Sequence, residues 1–304
     1  MKKTNVSMVA CHILLIALVV VIFLPGEKKT EGPESLLVAM LLMESYYIYR
    51  IIRYPEKRAA ASDIMSILWG LMLAWEICVT KLDLMHPVLV PALENIFTVF
   101  RNDYLIMAVG VLSSLEILFI GVAVGLALGT FLGLFFGWND RLRHIFGPIA
   151  NVLAPIPSVV FAPYVIAIMP TFRSASVVVI LLGIFWPTLL KTIISVESID
   201  KNIVDSARTL GLKNTAMIFQ VLLPYSVPSI ISGLKVTMTT AVMMLTFAEM
   251  MGSTKGMGYY IVNFNTYGNY TKVIAGIIVV ALVVTLLSSV IHQIQQRAIK
   301  WQKD

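Results

Sequence analysis

Charged side chains are scarce in this chain. Only 13% of its 304 residues are Asp, Glu, Lys or Arg, where soluble domains carry about 25%. With a mean hydropathy of +0.86, this excludes an ordinary soluble domain and points to an all-α, polytopic membrane protein. Apolar and polar residues do not alternate over stretches of about ten, which excludes a β-barrel. Cysteine is nearly absent: Cys11 and Cys78 are the only two. Both lie in apolar runs, so they are packing residues and form no disulfide framework. The chain also lacks GxxxxGK[ST], the loop that cradles nucleotide phosphates. No catalytic residue and no metal-ligand set is expected. The 23 Lys and Arg residues form no stripe, which excludes a nucleic-acid surface despite the net charge of +6. No small-x-small cleavage site follows residues 8–24, so they read as an uncleaved first helix. No internal repeat is visible, which counts against a secondary carrier built from two related halves.

What the chain does have is apolar length. A bilayer core of about 30 Å needs roughly 20 residues of helix, and eight runs meet that requirement: 8–24, 35–54, 62–80, 105–137, 146–169, 174–194, 226–250 and 271–293. Residues 86–100, HPVLVPALENIFTVF, carry two prolines and Glu94 and read as a separate interfacial helix. With the N-terminus inside, the inner segments hold 15 of the 23 basic residues and the outer segments seven, with Lys235 inside a span. The positive-inside rule then places both termini, and residues 195–224, in the cytoplasm. YPEKRAA at 55–61 is the one module boundary in view, dividing the chain into 1–60 and 61–304.

Three stretches stand out. Gly121, Gly125, Gly129, Gly133 and Gly137 recur every four residues on one face of span 105–137, as a close-packing surface in lipid requires. Span 146–169 carries Pro148, Pro155, Pro157 and Pro163; it reads equally as a kinked helix or as one broken around a pathway. Lys235 is placed to snorkel to the inner surface, and Glu249 to reach water at the outer face. Pro155, Pro157, Pro163 and Glu249 are the candidates for a translocation path. Glu44, Glu76 and Glu116 are candidates for buried pairing.

The third stretch, DSARTLGLKNTAMIFQVLLP at 205–224, is soluble-looking in an apolar chain. It reads as a helix over 198–209 with Ser198 and Asp200 as candidate caps, a left-handed turn at Gly211, and a second helix over 213–222 stopped by Pro224. Such a pair suits docking of a soluble partner as well as it suits lying on the lipid. Its spacing resembles the EAA loop of ABC importer permeases: Glu-Ala-Ala, three residues, Gly, nine residues, Ile-x-Leu-Pro. Asp205-Ser206-Ala207, Gly211, Val221 and Leu223-Pro224 fit every interval.

The resemblance covers about residues 66–300. WEICVT (75–80), FWPTLLKT (185–192), PYSVPSIISGLKV (224–236) and AEMMGSTKGMGYYI (248–261) resemble the nitrate/sulfonate/taurine/bicarbonate branch. It implies a type I, MetI-like permease core, here with two extra N-terminal transmembrane helices. It also implies an inner-membrane location, a second copy of the chain, two ATPase subunits that bind ATP and magnesium, and an external substrate-binding protein. The chain itself would bind no cofactor. Asp205, Ser206, Ala207, Gly211, Val221, Leu223 and Pro224 would form the ATPase-coupling loop. The solute could be a sulfonate, nitrate, bicarbonate or a small heterocyclic precursor. The competing reading is an ion-gradient-driven secondary transporter, which leaves the loop spacing unexplained.

Overall fold

A computed structural model describes residues 2–28, 30–86 and 88–298. Lys29, Pro87, Lys300 and Lys303, which enter the readings above, lie outside them. Regular structure among the described residues is helical throughout. Among the described residues, seven helices are long and apolar enough to cross a membrane, or eight if one bent pair counts as a single span. The chain packs as two compact units that divide it differently from the 1–60 and 61–304 partition: Met1–Ile106 with Ile261–Ile278, and Met107–Tyr260 with Val279–Asp304.

The first unit is built on α1 (Lys2–Phe23), α2 (Glu34–Arg53) and α3 (Arg58–Trp75). α3 lies along α1, where Gly70 admits Leu14 and Ser7 donates to Asp63 at 2.6 Å. Polar pairs join the helices where an unpartnered group in lipid would be costly. His12 Nε2 stands 3.3 Å from Glu44 Oε1, and Tyr47 and Ser62 share a hydrogen bond of 2.9 Å. α3 ends in a widened π-helical turn, Glu76–Lys81. Within that turn the buried Glu76 receives Thr80 Oγ1 at 3.1 Å and stands 3.5 Å from Lys81 Nζ.

The described residues of 86–100 form no separate interfacial helix. α4 starts at Leu93, two residues after Pro91, and runs unbroken to Trp138. Its 46 residues make about 69 Å of helix. Glu94 is buried, as are Ala92, Leu93 and Ile96. The apolar face of its first turn carries it into the unit's interior, so the charge does not mark a lipid surface.

In the second unit α4 packs along α7 (Phe172–Glu197). The five glycines meet a ladder of β-branched residues at the same spacing of four: Gly121 faces Ile180, Gly125 Ile184, Gly129 Thr188, Gly133 Thr192 and Gly137 Val196. A Cβ at Gly133 would stand 2.6 Å from Thr192 Cβ, so the backbones meet only because that atom is missing. Between these helices the chain breaks. α5 (Asp140–Leu153) and the segment Ser158–Ile168, which ends in α6 (Ala162–Ile168), meet at 83°. Pro155 and Pro157 occupy the break, and Pro163 sits in the first turn of α6, where its missing N–H costs nothing. Ser158, just past the break, is buried and donates to Met244 Sδ at 2.9 Å.

After α7 come α8 (Lys201–Thr209), α9 (Asn214–Ala216), a π-helical stretch Met217–Leu222 and α10 (Leu223–Met250). Ser198 closes α7, and only Asp200 caps α8, accepting from Asn202 N at 2.9 Å. Pro224 does not stop the second helix. It falls in the first turn of α10 after the widened stretch, a place that needs no donor from it. Helix therefore continues from Asn214 to Met250. α11 (Met257–Thr266) and α12 (Tyr270–Ala298) follow.

Candidate functional site

Residues 195–224 fold as a packed knuckle. Gly211 takes φ +79°, open to glycine at no steric cost and unfavourable for a side chain with Cβ. Its N–H donates to Arg208 O at 2.9 Å and Leu212 N to Ala207 O at 3.2 Å, which closes α8. Ala207 is buried among Leu134, Val196, Met217, Ile218 and Leu222. A small side chain there lets α8 sit close to the ends of α4 and α7. Arg208 lies over the Trp138 ring, 5.7 Å from its centroid. Asp205 and Ser206 stay exposed on the opposite face. Leu210, at the tip beside Gly211, is 80% exposed. Val221 and Leu223 pack against the buried cluster, so they hold the knuckle in place, whereas Pro224 lines a neighbouring cavity.

That cavity, about 850 Å³, lies between α7 and α10 at the end of the unit that carries α8. Its walls include Ala154 at the helix break, Pro187 of α7, and Pro224 and Pro228 of α10. Its polar groups are Lys191, Ser195, Ser198, Tyr225, Ser229 and Ser232. Lys191 Nζ donates to Ser229 O at 2.5 Å. A second, smaller cavity of about 430 Å³ is lined by residues that include Glu116, Phe172, Arg173 and Lys255. Glu116 is ion-paired with Arg173, but both are 57% exposed; the pair forms at a cavity wall and is not buried as the sequence suggested. Neither cavity is lined by Pro155, Pro157, Pro163 or Glu249.

Glu249 does not reach water; it is 1% exposed. Ser114 Oγ donates to its Oε1 at 2.6 Å, and Gly258 N to its Oε2 at 2.8 Å. Met257 N donates in turn to Ser114 Oγ at 3.1 Å. Position along α10 places Glu249 near the helix end, but the return of residues 251–258 covers it. A Cβ at Gly256, which has φ +106°, would collide with that carboxyl group.

Two functional candidates escaped the sequence reading. Leu210 is an exposed apolar tip beside the Gly211 turn. Lys191 was counted with the cytoplasmic charges, although it stands inside an apolar helix, where an ionisable group by default marks a site.

The profile of the binding-protein-dependent transport system inner membrane component matches residues 125–300. The chain is 29% identical over 166 residues to SsuC of Bacillus subtilis, named for aliphatic sulfonates transport. That match covers 55% of this chain and only 60% of SsuC. It is 27% identical to the ABC transporter permease protein MJ0413 of Methanocaldococcus jannaschii, over 75% of this chain and 88% of the other. The taurine transport system permease protein TauC of Escherichia coli is 23% identical, over 87% and 98%. Among solved structures, a chain of the MetNI methionine ABC transporter in inward-facing conformations superposes with a TM-score of 0.57 at 18% identity. The superposition covers 64% of this chain and 97% of that one, and it shows a shared fold. With the profile matched over more than half its length, this chain belongs to the family of binding-protein-dependent transport system inner membrane components.

Proposed function

We propose that the chain is the membrane-spanning subunit of an ATP-driven importer, and that residues 195–224 are its coupling element. The observation that carries this reading is the knuckle itself. Ala207 and Leu222 anchor it in the fold, while Asp205, Ser206 and Leu210 face outward around the Gly211 turn. An exposed apolar tip on a packed support suits a groove on a soluble partner. That partner is an ATPase subunit, which binds the ATP and magnesium. Closure of two ATPases around ATP would move two knuckles, one on each of two copies of this chain, and rock the helices between inward- and outward-open states. An external binding protein delivers the solute. The basic bias of the loops supports cytoplasmic termini and a cytoplasmic knuckle in the inner membrane. Relatives named for aliphatic sulfonates, taurine and nitrate support a small solute of the sulfonate, nitrate or bicarbonate kind, with a small heterocyclic precursor as the alternative.

The test is Gly211→Val, which forces a side chain into the left-handed turn. The variant is expected to insert and fold, and to hydrolyse ATP through its partner without taking up solute. Normal uptake with the ATPase still bound would overturn the docking role. Asp205→Lys is expected to lower ATPase co-purification, and unchanged stoichiometry in the pull-down would count against it.

A further inference from the structure

The 850 Å³ cavity between α7 and α10 has a feature that helix packing does not require. Lys191 puts a positive charge into its wall. The ammonium has three donors, and its one hydrogen bond among the described residues goes to Ser229 O. No carboxylate of the described residues stands within ion-pair distance of it. Glu197, one and a half turns further along α7, lies instead beside Arg143 Nε at 3.9 Å. A half-buried cation without a counter-ion is unfavourable in such a setting. Snorkelling would direct the side chain along α7 to the helix end, yet it crosses to α10. Gly233 makes that crossing possible, since a Cβ there would stand 2.8 Å from Nζ. The rest of the polar wall is uncharged: Ser195, Ser198, Ser229, Ser232 and Tyr225. The hydroxyls of Ser198 and Ser232 donate within their own helices to carbonyls three residues back. Such local bonds exchange readily for a better acceptor.

We propose that Lys191 and the surrounding hydroxyls form a binding station for a small oxyanion of the sulfonate or nitrate class, which supplies the missing negative charge during passage. The cavity volume falls in the range of small-molecule sites, and the chemistry selects the acidic members of the solute list over a neutral heterocycle. The assignment rests on the importer reading. A lipid headgroup phosphate has the same chemistry, and the test separates the two.

The experiment uses the full chain in nanodiscs and needs neither transport nor the ATPase, so its failure is distinct from failure of the coupling reading. A Ser195→Cys variant is labelled with an anionic sulfonate-bearing methanethiosulfonate and with its cationic trimethylammonium counterpart. Peptide mass mapping reads that position alone, leaving Cys11 and Cys78 in place. In phosphatidylcholine discs the anionic reagent is expected to react about tenfold faster. Methanesulfonate or nitrate at millimolar concentration should slow it. Adding Lys191→Gln should erase both effects, and Lys191→Arg should keep them. Equal rates for the two reagents, a preference that survives Lys191→Gln, or no competition by either anion would overturn the proposal. Protection by phosphatidylglycerol discs alone, with neither anion competing, would overturn the solute and assign the station to a lipid headgroup.

Discussion

Ser114 Oγ donates a hydrogen bond to Glu249 Oε1 at 2.6 Å, joining two residues 135 positions apart in sequence. The second carboxylate oxygen takes Gly258 N, so one side chain ties α4, the end of α10 and the start of α11 within the second unit. Two glycines of GSTKGMG are accounted for by this knot. Gly256 supplies the positive φ and leaves room for the carboxyl group, and a Cβ at Gly258 would strike Thr246 O. Glu249→Ala leaves two donors without their acceptor, at about 1–3 kcal/mol each. Thermal unfolding in detergent should show a clear fall in midpoint for Glu249→Ala and a smaller one for Glu249→Gln, which retains one carbonyl oxygen. Equal midpoints for Glu249→Ala and the native chain would show that the knot adds nothing to stability.

The glycine ladder makes a pairwise prediction. Gly133→Ala pushes a methyl group against Thr192 Cβ and should cost about 1–3 kcal/mol through overpacking. Thr192→Gly removes that Cβ outright, at its own cost of about 1 kcal/mol for a glycine inside a helix. Combined, the two should recover much of the Gly133→Ala loss, because residues in contact do not add. The readout is a double-mutant cycle on unfolding midpoints. Strict additivity would mean that Gly133 meets something other than Thr192.

The sequence exposed these features unevenly. Gly211 was legible because a left-handed residue leaves a compositional trace at a fixed interval from Leu223-Pro224. The glycine face was legible as a face, but not its partner, since Ile180 to Val196 look like ordinary apolar helix until their spacing is set against the glycines. Pro224 misled because a π-helical stretch upstream lets a helix pass through a proline, and nothing in MIFQVL announces one. Glu249 misled for another reason: distance along a helix gives depth, whereas burial depends on which segments fold back over it. Lys191 was overlooked because charge near a helix end was credited to the adjoining loop.

Leu210 separates docking from folding. It is 80% exposed at the knuckle tip, so Leu210→Asp removes little buried area and should leave the unfolding midpoint of the isolated chain unchanged. An apolar anchor that fills a partner pocket is a hot spot worth about 2 kcal/mol or more, roughly a thirtyfold loss of affinity. Co-purification of the ATPase at limiting concentration should therefore drop sharply. Val204→Asp, on the half-buried side facing the cluster, should do the reverse and first lower the midpoint. If Leu210→Asp retained full ATPase binding, the contact would have to lie elsewhere on the knuckle.

Residues 1–60 are built into the first unit. Trp69 and Met72 of α3 are buried, and Ser62 of α3 shares its hydrogen bond with Tyr47 of α2. Removing 1–60 strips α3 of α1 and α2, uncovering Trp69 and leaving Ser62 without Tyr47. Truncation should therefore lower the yield of monodisperse protein in fluorescence-detected size exclusion before any question of uptake arises. His12→Ala tests the same region more gently, because it leaves Glu44 in the apolar interior without the imidazole that faces it at 3.3 Å. An uncompensated carboxylate there costs several kcal/mol, so His12→Ala should lower the midpoint. His12→Ala with Glu44→Leu should recover much of that loss, since the leucine needs no partner. A truncated chain as stable as the full one would mean that α3 finds its packing outside the first 60 residues.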